Sequence, residues 1–241
     1  IDWVADQSDP WFLWLAYTAP HTPFHLPPSE MHSQGDLPSD AASISANPTP
    51  YYMAMMEAMD FQIGRLLESM SQEELDNTVI LFMGDNGTPN QVAQSPYSRN
   101  TAKGTVYQGG INTPLLVSGK GISRTGEENG LVNSTDLYAT IAALAGSTSG
   151  NTNDSQDFSN LFTSSSTIRD YAYSEYTNGN ISFWCIRNSQ YKLIVRGDGS
   201  EEMFDLTSDP YENNNLLTTN LTTTQEEAKQ SLETQLATIR Q

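Results

Sequence analysis

One cysteine, Cys185, is all the thiol in this chain of 241 residues, so an intrachain disulfide is excluded and redox compartment cannot be read from cysteine usage. Basic residues are nearly as scarce. Eleven Lys and Arg stand against 29 Asp and Glu, a formal net charge of −18. Such a surface repels nucleic acid and anionic membranes, which excludes both as partners. An anionic substrate would need a locally positive pocket. The acidity itself reads as a solubility feature. No apolar run is long enough to span a bilayer, so no membrane insertion is expected. There is no internal repeat, and the start at Ile1 makes the lack of a signal peptide uninformative. The chain begins at Ile1, stays polar from Asp2 to Asp9, and enters an apolar run directly after Pro10. That start is expected to lie inside a longer protein, with an amino-terminal part elsewhere. The length suits one large domain, or one domain with a smaller appendage.

What is present alternates in character. Trp11 to Tyr17, "WFLWLAY", is aromatic and aliphatic without alternation, which predicts a strand buried on both faces. The proline-dense "TAPHTPFHLPP" follows, and Ser29 to Pro50 has no period and reads as a long surface loop. From Tyr51 to Met70, Met56, Met59, Ile63, Leu66, Leu67 and Met70 recur at helical steps, predicting an amphipathic helix whose methionines are core. Val79 to Met83 and Pro114 to Ser118 read as short buried strands around a glycine-rich loop. "NSTDLYATIAALAG", Asn133 to Gly146, reads as a helix with Asn133 or Ser134 as N-cap and Gly146 just past its end. This order predicts an α/β layer with parallel strands over residues 1–150. Ser147 to Asn160 is polar and reads as a linker. Residues 151–241 form a second unit: "YAYSEY", "SFWCIR", "YKLIVR" and "EMFDL" predict an antiparallel meander, and Thr222 to Ile239 a closing helix.

Three places could carry chemistry. The Val79–Met83 run stops at Gly84-Asp85-Asn86-Gly87. A carboxylate and a side-chain carbonyl side by side are hard oxygen donors suited to Ca²⁺ or Mg²⁺. Flanking glycines would let both face one point. Taken alone, the same residues read as an ordinary Asp-Asn-Gly turn. His21 and His25 stand four apart, but Pro20, Pro23, Pro27 and Pro28 exclude the helix that a zinc pair at that spacing needs. His21, fixed in a rigid loop, could donate a proton or hold an anion; an isolated loop histidine is more often a surface residue. Lys103, in "KGTVYQGGINTP", could neutralise an oxyanion, or be a solvated loop lysine. Cys185 reads as a buried strand residue with nothing around it to make it reactive.

Taken in order, "FLWLAYTAPHTPFHLP", "VILFMGDNG", "KGTVYQGGINTPLLVSG", "STDLYATIAALAG", "YKLI" and "MFDLTSDPYENNNL" resemble the later motifs of the sulfatase family. The resemblance runs from Trp11 to about Leu217. It implies part of an alkaline phosphatase-like, mostly parallel α/β sheet with flanking helices, followed by a small antiparallel sheet and helix. It implies hydrolysis of sulfate esters of carbohydrates or other small molecules, with one divalent cation, Ca²⁺ or Mg²⁺. Asp85 and Asn86 resemble the family's second pair of metal ligands. His21 resembles the histidine that contacts sulfate and leaving-group oxygen, and Lys103 the lysine that binds sulfate. Members are usually exported, which implies a periplasmic or secreted location.

The chain departs from the family pattern in two ways. Gln108 stands where a glutamate usually precedes the paired glycines. The Cys/Ser-x-Pro-x-Arg motif that yields the family's formylglycine nucleophile is not in this sequence, nor is a counterpart of the first two metal-binding aspartates. The expectation is therefore the carboxyl-terminal portion of a sulfatase-like enzyme, inactive alone, with apolar faces left for its amino-terminal part to cover. The alternatives are a phosphonate monoester hydrolase or phosphodiesterase of the same superfamily, a non-catalytic relative, and an unrelated acidic binding domain.

Overall fold

The computed structural model describes residues 1–147 and 153–240. The first part holds a short helix α1 (Asp2–Ala5), α2 (Ala41–Ala46), the long α3 (Pro48–Glu68), α4 (Gln72–Asp76), strand β1 (Val79–Met83), the short α5 (Gln108–Ile111), β2 (Leu115–Gly119) and α6 (Asp136–Leu144). The second holds β3 (Ala172–Asn178), β4 (Ile181–Arg187), β5 (Tyr191–Arg196), β6 (Glu201–Asp205) and α7 (Thr223–Ile239). The expected mixture of helices and strands and the small antiparallel sheet are both there.

The long loop expected from Ser29 to Pro50 is partly helical. Asp40 caps α2 by accepting from the Ser43 N–H at 2.9 Å, and six residues are too few to show a period in sequence. Pro48 opens α3, where a missing N–H costs nothing. The deepest side of α3 is Tyr51, Ala54 and Met55, and Tyr51 and Met55 pack with Phe24 and Val92. Met56, Met59, Ile63, Leu66 and Leu67 are only half-buried, and Met70 is buried.

β1 does not sit in a parallel sheet. It pairs antiparallel with β2, Leu81 opposite Val117. The Trp11–Tyr17 stretch forms no strand, and Phe12 and Trp14 are 60% and 67% exposed. A strand exists only where a neighbouring backbone takes its N–H and C=O groups, and among the described residues none does so here. The apolar exposure continues at Leu116, 62% exposed on β2. The apolar faces expected to lie open are open.

The second part follows expectation closely. Its four strands run in the order β3-β4-β5-β6, each antiparallel to the next. Period-two alternation sends Cys185, Ile194 and Phe204 to one face and Ile186, Leu193 and Met203 to the other. The second face is covered by Leu232 and Leu236 of α7. Thr222 caps α7 through a reciprocal pair with Gln225. The first face is covered by Val106 and Tyr107, which come from the glycine-rich loop of the first part. A fully buried ion pair adds to that seam. Lys192 Nζ lies 2.5 Å from Glu212 Oε1, and Glu212 Oε2 accepts the Gln108 N–H at 2.5 Å.

One expectation about α6, and one about the segment that follows it, need correction. The helix is not capped by Asn133 or Ser134. The buried carboxylate of Asp136 instead accepts the Asn133 N–H at 2.7 Å and the Gln156 N–H at 2.9 Å, and pairs with Arg169. At the other end Gly146 has φ +71, as expected, and the Gly146 and Ser147 N–H groups bond back to Ala143 and Ala142. The boundary at residue 150, and residues 148–152 of the expected linker, lie outside the described residues. Residues 155–160 are no free linker. Phe158 is buried, its N–H donates to Thr140 Oγ1, and Ser155 Oγ accepts the Ala139 N–H, so this polar segment straps α6.

Candidate functional site

β1 ends at Met83, and the chain turns at once into the Gly84–Gly87 corner. The corner is held on both sides. Gly84 N–H donates to Pro114 O at 3.0 Å, and Gly87 N–H to Gly110 O at 2.9 Å. Close approach is what demands glycine here. A Cβ on Gly87 would lie 2.0 Å from Gly109 O, and one on Gly110 would lie 2.3 Å from Thr105 O. The paired glycines of α5 thus clasp the Asp85–Asn86 corner, and the same clasp brings in Lys103, whose N–H donates to Thr88 O at 3.0 Å.

These contacts build one cavity of about 820 Å³. His21, Asp85, Asn86 and Lys103, all singled out from sequence, line it together. His25 is not among its lining residues. His21 Nδ1 lies 2.7 Å from Thr22 O, and a carbonyl can only accept, so the proton sits on Nδ1 and Nε2 is left for a ligand. Among the described residues, the side chains of Asp85, Asn86 and Lys103 have no hydrogen-bond or ion-pair partner. Two unpartnered side chains with hard oxygen donors, at a cavity wall, fit a divalent cation chemically. They are a partial set, because the described residues contain no group of three or more His, Cys, Asp or Glu that could hold a metal.

Gln108 stands one layer behind. It is buried, its N–H is taken by Glu212, and its Oε1 lies 3.5 Å from Lys192 Nζ. Glu212 already balances Lys192, so a neutral amide suits this position without leaving a buried charge unpaired. Cys185 is 1% exposed and burial pushes its thiol up, in keeping with a structural role.

Sequence reasoning missed the opposite wall. Tyr173, Glu175 and Tyr176 of β3, the free edge of the small sheet, also line the cavity. Tyr173 Oη donates to Glu175 Oε2 at 2.5 Å. Burial, then this bond to the carboxylate, pushes the Tyr173 hydroxyl up. Gly104, at φ +82, lets the Tyr176 ring come against the backbone beside Lys103; a Cβ there would lie 3.4 Å from Tyr176 Oη. Nothing in "YAYSEY" except an acid among aromatics hints at this, since only the fold brings β3 to the cavity.

The sulfatase family model matches residues 1–147, and the model for the carboxyl-terminal part of N-sulphoglucosamine sulphohydrolase matches residues 100–241. The chain is 32% identical over 151 residues to an uncharacterized sulfatase, YdeN, of Escherichia coli, covering 60% of this chain and 25% of that protein. It is 26% identical over 230 residues to Arylsulfatase K of Canis lupus familiaris, covering 86% of this chain and 42% of that protein. The chain thus spans less than half the length of these relatives. Among solved structures, Ps i-CgsB in complex with k-i-k-neocarrahexaose matches with a TM-score of 0.77 at 26% identity, over 98% of this chain and 52% of that one. The phosphonate monoester hydrolase of Agrobacterium radiobacter matches with a TM-score of 0.72 over 99% of this chain and 58% of that one. At 18% identity that likeness shows the fold alone. No described helix is long and apolar enough to cross a membrane.

Proposed function

This chain belongs to the sulfatase family, and we propose that it carries part of the metal site and part of the sulfate pocket of an enzyme hydrolysing sulfate esters of carbohydrate or aryl alcohols. The observation behind this reading is the convergence of His21, Asp85, Asn86 and Lys103 on one cavity. Lys103 would bind the sulfate oxygens as a point charge, in a cavity wall otherwise poor in bases. His21, its Nδ1 engaged by Thr22 O, presents Nε2 to the leaving-group oxygen, and in the imidazolium form can give that oxygen a proton. Asp85 and Asn86 would hold Ca²⁺ or Mg²⁺. Such an ion supplies positive charge against the sulfate and lowers the pKa of a bound nucleophile. The rest of the metal shell and the nucleophile would come from residues outside these 241, and a periplasmic or secreted location goes with that reading.

Turnover of paired sulfate and phosphate esters of one alcohol tests it, using the protein made from its whole coding sequence beside the 241-residue chain. We expect the longer protein to hydrolyse the sulfate ester, to lose that activity on chelation, and to lose about 100-fold or more in kcat/KM on Lys103→Ala. The 241-residue chain should be silent. Preference for the phosphate ester would favour the phosphonate hydrolase reading. A rate untouched by Lys103→Ala would remove the sulfate-binding role of this lysine and, with it, the assignment of the cavity as a sulfate pocket.

A further inference from the structure

Two stretches that line no part of the cavity meet behind it. "YKLI" lies on β5 and "SDPYENNNL" follows β6, and neither contributes a lining residue. Lys192 of the first leaves the sheet on the face that carries Ile194 and Phe204, and pairs there with Glu212 of the second. Both side chains are buried, at 0% and 1% exposed. Glu212 spans two partners. Its Oε1 accepts from Lys192 Nζ and its Oε2 from the Gln108 N–H, each at 2.5 Å. Gln108 is the first residue of α5, so its N–H has no partner within the helix. Glu212 also carries a cost. Its backbone stands at φ +59, where the Cβ of any residue but glycine is crowded. A long acid persists there when its contacts outweigh the strain.

From Gln108 the path to the cavity is short and made of backbone. Gly110 N–H donates to Tyr107 O, and Gly110 O takes the Gly87 N–H at 2.9 Å. Gly87 follows Asn86 directly, in a corner with no room to slide against Gly109. We propose that Glu212 is a positioning residue for the metal corner. Its carboxylate, held by Lys192, fixes the Gln108 N–H and, through α5, the place of Asp85 and Asn86; this rests on the metal site proposed above. Lys192 gives the carboxylate its direction and offsets its charge in a dry seam. The small sheet thereby serves the site by anchoring it from behind, without touching the ion or the substrate.

Ca²⁺ titration by calorimetry on the protein made from its whole coding sequence tests this, with hydrogen exchange at residues 84–87 measured alongside. Two double variants remove both buried charges, so neither leaves an unpaired ion. Lys192→Met with Glu212→Gln keeps an oxygen for the Gln108 N–H. Lys192→Met with Glu212→Met keeps the length of the side chain and drops the oxygen. The first should hold the wild-type Kd to within about twofold and the second should weaken it about tenfold, the usual size of effect for a group behind a metal ligand. Exchange at residues 84–87 should quicken in the second variant only. The amides of β5 should stay protected in both, which separates a loosened corner from a loosened sheet. Should the second variant fail to fold, Glu212→Asp, one methylene shorter and still charged, takes its place and should show the same two effects to a smaller degree. The inference is overturned if the variant lacking the contact matches the Gln variant in Kd and in exchange, or if β5 loosens together with the corner. Failure of the metal reading looks different: the wild type binds no Ca²⁺, while exchange at residues 84–87 still separates the variants.

Discussion

At the Asp85–Asn86 corner there is no room for a single extra carbon. The Cβ that alanine would place on Gly87 falls 2.0 Å from Gly109 O and 2.7 Å from Gly110 Cα, both backbone atoms that cannot rotate away. Gly87→Ala should therefore cost about 2–3 kcal/mol by forcing the two loops apart. It should also weaken binding at the cavity, because Asp85 and Asn86 ride on the same corner. Gly64, within α3, gives the opposite case: nothing lies within 4 Å of its added Cβ. Gly64→Ala should stabilise by about 0.5–1 kcal/mol, since alanine loses less backbone freedom in a helix. Urea unfolding of both variants reads the two signs. Stability unchanged or raised by Gly87→Ala would mean that steric approach is not what selects glycine at position 87.

Among the elements, α7 closes one face of the small sheet. Leu232 is fully buried, and with Leu236 it covers the face of the sheet formed by Ile186, Leu193 and Met203. Leu232→Ala should cost about 3 kcal/mol, transfer and cavity terms together. Thr222→Ala, which removes only the cap, should cost about 1 kcal/mol. The expected result is a lower denaturant midpoint with an unchanged slope in both. A changed slope would mean that α7 unfolds separately from the sheet. The strap over α6 follows similar logic with polar groups. Asp136 is fully buried, yet its oxygens are taken by two N–H groups and Arg169, which offsets the desolvation of its charge. That segment looks like a linker in sequence because a polar strap and a polar tether have the same composition.

For the whole molecule, the question is how much of a site these residues complete. In the proposed metal site Asp85 and Asn86 would be two ligands, and a Ca²⁺ shell takes roughly 6–8 oxygens. Calorimetry on the 241-residue chain should therefore find Ca²⁺ binding of millimolar Kd or weaker. Micromolar affinity would mean that Ile1 to Gln241 finish the shell by themselves. The apolar surface points the same way. Phe12 and Trp14 are more than half exposed, and Leu116 is open on β2, in a sheet that has two strands among the described residues. The second part, by contrast, buries both faces of its sheet.

Local pattern was enough to determine much of this protein. Helical spacing located α3, short strands separated by turn residues marked the meander, and Gly146 marked the end of α6, because each depends on neighbours a few residues away. Motif order was enough to single out His21, Asp85, Asn86 and Lys103. Tertiary structure alone decided the rest. Whether Trp11–Tyr17 becomes a strand depends on a partner backbone, and residues 155–160 became a strap because buried Asp136 and Thr140 had N–H groups within reach. Tyr176 became part of a cavity wall because β3 lies at a free edge that the fold carries to the cavity. Those outcomes turn on contacts between residues tens of positions apart, and spacing along a chain holds no record of which distant groups will meet.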